Sequence, residues 1–365
     1  MSKIDEYGAV VVPKPPYRFD NVVTYSFYVR GTKTTIENSI AAIVGDAAAP
    51  LEFELVTDWV MLSFSEFGKA FCRDKAEDGG YRYREFATWL LFAKPDNGYY
   101  TDFVWVCPFI WVDSPGGLFG GHRMNINKQF SKHISLMTDA GNPPFDLNAE
   151  VMPRPGKYSL AGDRSVISVQ RRGLANGPLQ TIPSGDGVRL PEVHRDPLEA
   201  SLRAHGIFRK SGAFDRFIEA QEAVAAKDDH VEESSPMNFF KRRVDRNTDP
   251  DWLPGLTNGS MTIATRLPNA GNGAPSVGKL RFTRVEGTTS EMGLVLGLFD
   301  VKIPAFHKLN MVAALGLRDW VGAWFKDGVR PANCPALSPS AGEEASFSAL
   351  GGTYIKTAYD LEQYP

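Results

Sequence analysis

The sequence predicts an α+β chain dominated by strands, folded as an antiparallel sheet or barrel with peripheral helices. Segment after segment is β-branched and aromatic, and short Gly, Pro or charged turns separate them. Helical periodicity is confined to a few places rather than alternating with every strand, which argues against a parallel doubly wound sheet. The chain has 365 residues, 43% hydrophobic and 12% aromatic, ample for one large core. A single domain is expected.

In chain order, the arm through Pro16 reads as extended, restricted by Pro13, Pro15 and Pro16. Residues 22–29, VVTYSFYV, have strand composition. Residues 34–44 carry Ile36, Ile40, Ala41 and Val44 at helical spacing, and Pro50 ends that excursion. Residues 59–67, WVMLSFSEF, alternate as a strand that contains Glu66. A charged loop over 73–80 leads into YRYREFATWLLF, residues 81–92, and Gly98 turns the chain into another aromatic strand over 99–112.

Residues 113–117, DSPGG, then break regular structure and predict a turn, and Gly120 and Gly121 extend the glycine-rich stretch. Short strands follow between 153 and 191, such as residues 166–169. Asp196-Pro197-Leu198-Glu199 looks like a helix start with proline at its first position, so residues 196 to about 250 are expected to form a helical insertion. Strands resume near 261–266, 279–285 and 292–299. A closing helix is predicted over 310–326, and a Pro, Ser and Gly-rich tail from about 331 is expected to loop over the surface.

Composition excludes several functions. The net charge of −3 offers no global basic field for nucleic acid or an anionic membrane. The basic run 241–246 in such a chain reads as a solvated face. No window approaches eighteen uncharged apolar residues, and the first residues carry charges and prolines where a secretory signal needs an apolar run, so the expectation is a cytoplasmic protein off the membrane. Cys72, Cys107 and Cys334 are far apart and predict neither a disulfide framework nor a zinc site. His122 and His133 do not have the spacing of a helical metal pair. The glycine cluster lacks the lysine ending of a phosphate loop, and there is no GxSxG nucleophile elbow.

The lysine that follows the glycines is the candidate for chemistry. Read as a strand, the local pattern sets Lys128 between Ile126 and Phe130, two residues away on the same face. Burial there disfavours an ammonium and favours a neutral amine, which is a nucleophile toward carbonyls. A solvated lysine at a strand end is the alternative.

The arrangement around Lys128 resembles the acetoacetate decarboxylase superfamily. The matching features are Pro16-Tyr17-Arg18-Phe19 near the start, Pro50-Leu51-Glu52 after the first helix, and Glu66 on a strand. Tyr83-Arg84-Glu85 stands for the family's Y-x-E, the run from Gly120 to Gln129 for its glycine-rich turn ending in lysine, and Leu298-Phe299-Asp300 for its late L-F-D. The resemblance implies that Lys128 is a Schiff-base lysine, with Glu85 and Glu66 as proton-transfer carboxylates; an alternative register selects Glu54 in place of Glu66. Where the family has a second lysine this chain has Gln129, the proline before the lysine is Asn127, and an arginine expected near the start is Val22. Arg123 stands as a replacement partner for a substrate carboxylate, and His122 and Gln129 complete the candidate substrate-binding residues.

The implied function is a lyase acting through a lysine Schiff base on a keto acid or related ketone. Decarboxylation comes first, with aldol, dehydration or cyclisation chemistry, or a non-catalytic ligand-binding module, as alternatives. Neither metal nor organic cofactor is implied, and a homo-oligomer is expected. The aromatics Tyr83, Trp89, Trp105, Phe109 and Trp111 admit a bulky substrate, but they also suit buried strands.

Overall fold

In a computed structural model, the described residues are 4–7, 10–44, 53–55, 58–96, 99–137, 146–151, 166–171, 181–183, 244–245, 260–266, 277–285, 287–288, 291–304, 311–317 and 344–364. The protein is α+β and strongly strand-rich. A short antiparallel pair, β1 (Ile4–Tyr7) and β2 (Val10–Pro13), precedes β3 (Tyr17–Arg30) and helix α1 (Lys33–Val44). The short β4 (Glu54–Leu55) and the long β5 (Trp59–Cys72) follow. A 3₁₀ turn over Arg73–Asp78 then links β5 to β6 (Gly80–Asp96), and β7 is Tyr99–Val112. Helix α2 (Pro115–Arg123) leads to β8 (Gln129–Met137), β9 (Asp146–Val151), β10 (Val166–Arg171) and β11 (Thr181–Pro183). The later elements are β12 (Val244–Asp245), β13 (Ser260–Arg266), β14 (Val277–Arg284), β15 (Glu291–Pro304), helix α3 (Met311–Leu315) and β16 (Glu344–Tyr364).

All strands but the first two join one 14-stranded, mostly antiparallel sheet. Pairing closes on itself twice. One circuit runs β7, β13, β14, β16, β3, β5, β6 and back to β7; the other runs β16, β15, β10, β9, β8, β7, β6, β5, β3 and back to β16. The strands common to both circuits are therefore covered on both faces, and each face has its own core. Alternation along β6 makes the point: Phe86 and Leu90 enter one core, whereas Tyr83, Ala87, Trp89 and Leu91 enter the other. On β7, Phe109 and Trp111 divide in the same way from Ile110 and Val112. These residues and Trp105 are buried, as strand aromatics should be.

Four expectations need correction or completion. The glycine cluster is helix α2 rather than a turn. The tail expected to loop over the surface contains β16, with β3 on one side and first β15, then β14, on the other. Of the closing helix expected over 310–326, α3 ends at Leu315, where Gly316 takes a left-handed φ of 55° and the Leu317 N–H turns back to the Val312 carbonyl, and residues 318–326 lie outside the described residues. The helical insertion at 196–250 lies outside the described residues except for Val244–Asp245, a strand pair to β7. No helix among the described residues is long and apolar enough to cross a membrane.

Candidate active site

The site is built from one helix and the face of β6 beneath it. Helix α2 starts with Pro115 at its first turn, where a missing N–H costs nothing. Gly116, Gly117, Gly120 and Gly121 are all buried. Each costs about 1 kcal/mol of helix propensity relative to alanine, so local preference opposes this helix. Contact explains it. A Cβ on Gly117 would come within 2.9 Å of the Tyr83 ring, and one on Gly121 within 2.4 Å of the Lys128 side chain. Only a backbone without Cβ lets the helix lie this close.

The helix ends in a Schellman turn. The Asn125 N–H donates to the His122 carbonyl, the Ile126 N–H donates to the Gly121 carbonyl, and Asn125 takes a φ of 57°. The chain reverses, and Lys128 N–H donates to the Ile126 carbonyl at 2.8 Å. Lys128 thus precedes β8 and its side chain folds back along the helix that delivered it. His122, exposed at the end of α2, donates from Nε2 to the Lys128 carbonyl at 2.9 Å and holds that backbone.

Lys128 Nζ donates to Glu85 Oε2 at 2.5 Å, and the two side chains are each 7% exposed. The ammonium also lies 5.0 Å from the centroid of the Tyr83 ring, which stacks on Phe67 at 4.4 Å and 5°. Glu85 occupies a row of buried small polar residues. Its register partner on β5 is Ser65, whose hydroxyl lies 2.9 Å from that of Thr24 on β3. On the other side Glu85 opposes Val112 of β7.

A pocket of about 420 Å³, its open mouth included, opens onto this pair. Its walls include Phe19, Tyr81, Trp89, Ile110, Met124 and Phe282 besides the glycine face of α2. Lys128 and Glu85 are its two charged lining residues among those described. Burial pushes the Tyr81 and Tyr83 phenols up from their ordinary value, Glu85 adding to both, so they remain hydroxyl donors. Burial also raises the Cys107 thiol, again with help from Glu85, which keeps it protonated. Among the described residues no group of three or more His, Cys, Asp and Glu side chains could hold a metal ion.

Of the residues singled out by sequence, Lys128 and Glu85 meet. Glu66 does not join them. It is paired in register with Arg84, one step out of phase with Ser65 and Glu85, so it faces the opposite side of the sheet. There it accepts hydrogen bonds from Arg82 and, at 3.0 Å, from Arg84. Burial pushes its carboxyl up, but those two guanidinium bonds outweigh it and hold the group below its usual value. Glu54 sits on the short β4, away from the pocket lining. Arg123, His122 and Gln129 also lie outside that lining. Desolvation lowers the Arg123 guanidinium from its ordinary value. Ile126 is buried beside Lys128 as expected, whereas Phe130 is 40% exposed, because the chain at Lys128 turns and the strand rule of two does not extend across it.

Sequence reasoning missed Tyr81 and Met124 as lining residues. A signal for Tyr81 was available: it stands two residues before Tyr83 and four before Glu85, hence on their strand face.

No protein-family model matches the chain. A search of curated proteins also found no match. Among solved structures, the chain is similar to the enduracididine biosynthesis enzyme MppR in complex with pyruvate, at 13% identity and TM-score 0.44, covering 96% of this chain and 90% of that one. It is similar to acetoacetate decarboxylase from Legionella pneumophila subsp. pneumophila str. Philadelphia 1 at 11% identity and TM-score 0.42, over 100% of this chain and 91% of the other. A third is an acetoacetate decarboxylase-like enzyme from Sphingomonas wittichii RW1, at 10% identity and TM-score 0.34, over 96% and 92%. The solved structures similar to this chain thus include acetoacetate decarboxylase and acetoacetate decarboxylase-like enzymes.

Proposed function

We propose that this protein is a lyase that forms a Schiff base between Lys128 and the carbonyl of a small keto acid or related ketone. One observation carries the reading: Lys128 and Glu85, 2.5 Å apart, sit at the base of an aromatic pocket that opens to solvent. For the amine to attack, its proton passes along the hydrogen bond to Glu85, so the lysine and the carboxylate act as nucleophile and base. The amine adds to the carbonyl carbon, and water leaves with the proton Glu85 then holds. What remains is a protonated imine beside the Glu85 carboxylate.

The imine serves as electron sink for cleavage of a bond α to it. Decarboxylation is the first reaction expected, because loss of carbon dioxide removes a negative charge from an apolar pocket that already contains Glu85. Glu85 is the group in reach to move protons at the imine, a role worth about 10²–10⁴ in rate. The same imine with Glu85 as base supports aldol or dehydration chemistry. The narrow space favours a substrate of few heavy atoms.

The test is trapping with borohydride in the presence of acetoacetate or pyruvate, read as a mass increment on the intact protein. Lys128→Arg keeps a cation but cannot form the imine, so it is expected to abolish both adduct and turnover. Lys132, exposed on β8, is expected to be dispensable. An adduct mapped to Lys132, or no adduct with either compound, would overturn the proposal.

A further inference from the structure

The four glycines of α2 fall into two pairs one helical turn apart. Gly117 and Gly121 carry Tyr83 and the stem of Lys128. Gly116 and Gly120 carry a single side chain, Tyr81: a Cβ at Gly116 would come within 2.8 Å of its ring, and one at Gly120 within 2.6 Å of its hydroxyl. The phenol is therefore laid along the helix with its hydroxyl one residue before the position that supports Lys128. The ring is further fixed at 5.7 Å from Tyr83.

Tyr81 lines the same pocket as Lys128 and Glu85. The other phenol against Gly120 is Tyr17, and its hydroxyl is spent on the Pro13 carbonyl at 2.8 Å. Among the described residues no hydrogen bond engages the Tyr81 hydroxyl. A half-buried phenol held against the helix, lining the same pocket as an amine and a carboxylate, is placed to meet a carbonyl oxygen bound there.

We propose that the Tyr81 hydroxyl donates a hydrogen bond to the substrate carbonyl oxygen and to the alkoxide into which Lys128 converts it. This rests on the Schiff-base reading above. As the amine nitrogen bonds to carbon, the C=O π pair moves onto oxygen, and Tyr81 stabilises that charge without giving up its proton. The nitrogen proton then passes to the oxygen. The C–O bond breaks with the proton held by Glu85, which releases water and leaves the iminium beside the carboxylate. The phenol is suited to this because burial keeps it protonated.

Two readouts separate this claim from the Schiff-base reading. Borohydride trapping with acetoacetate should be about 10²-fold slower in Tyr81→Phe than in the native protein; a rate within twofold overturns the proposal. In Lys128→Arg, where no imine can form, bound acetone labelled with ¹³C at its carbonyl should resonate downfield of free acetone, and adding Tyr81→Phe should remove that shift. An unchanged shift, or no bound acetone, overturns it. A Tyr81-dependent shift in a protein that is never trapped would instead sink the Schiff-base reading and leave the contact standing. Should Tyr81→Phe not fold, 3-fluorotyrosine at position 81 provides a ¹⁹F signal that must move on acetone binding; a signal that stays put overturns the contact.

Discussion

Lys128 and Glu85 form a buried ion pair. Two charges taken out of water are only just compensated by their attraction, whereas stranding one of them costs about 3–5 kcal/mol. Glu85→Gln is expected to keep imine trapping measurable while turnover falls at least about 10²-fold. The double variant Glu85→Leu with Lys128→Met should unfold in urea at a midpoint no lower than the native protein and be inactive. A double variant much less stable than native would show that the pair serves the fold. At this scale the sequence was half legible. Lys128 could be singled out from the glycines before it, and Glu85 from its Tyr-Arg-Glu context. Glu66 was assigned to the site because it is a strand glutamate near the right place. Its phase in the pleat relative to Ser65 and Glu85 decides otherwise, and that phase comes from the register between β5 and β6.

At the scale of elements, α2 is where local rules and structure part. Pro-Gly-Gly and a second Gly-Gly read as a turn by composition, and each glycine disfavours a helix. The helix forms because its bare backbone can sit on Tyr81, Tyr83 and Lys128, and the Schellman turn at Asn125 then sends Lys128 back onto it. Gly121→Ala tests this. Alanine improves helix propensity by about 1 kcal/mol, yet its Cβ would meet the Lys128 stem at 2.4 Å, between Gly121 and the hydrogen bond to Glu85. We expect a loss of stability of about 1–3 kcal/mol by calorimetry, since overpacking the buried lysine stem outweighs the gain in propensity, and trapping about 10²-fold slower, since displacing a reacting group by about 1 Å costs that much. Trapping at the native rate would mean that the lysine side chain is not held by this contact.

At the scale of the whole molecule, β16 ties the two circuits together. It pairs with β3, β14 and β15, and it buries Phe347 and Ala349 in one core and Leu361 in the other. Truncation after residue 343 would unpair three strands and open both cores. The expected outcome is loss of any cooperative unfolding transition by circular dichroism. A truncated chain that melts cooperatively would show that β16 is an addition to a complete fold.

By itself the sequence determined the strands that build the site and the class of fold. β-branched and aromatic runs with period two express their preference locally, so β3, β5, β6 and β7 were readable from composition and alternation. It also pointed to the lysine and one of its carboxylates. The tertiary structure alone decided what depends on partners far away in the chain. Residues 344–351, rich in Ser, Gly and Ala, have little strand preference of their own and pair because β15 lies alongside. The glycines of α2 become helix only against the aromatic face of β6, and Tyr81 comes to line the pocket only once that helix covers it. Such contacts are set by packing between elements distant in sequence, and no window along the chain contains both sides of them.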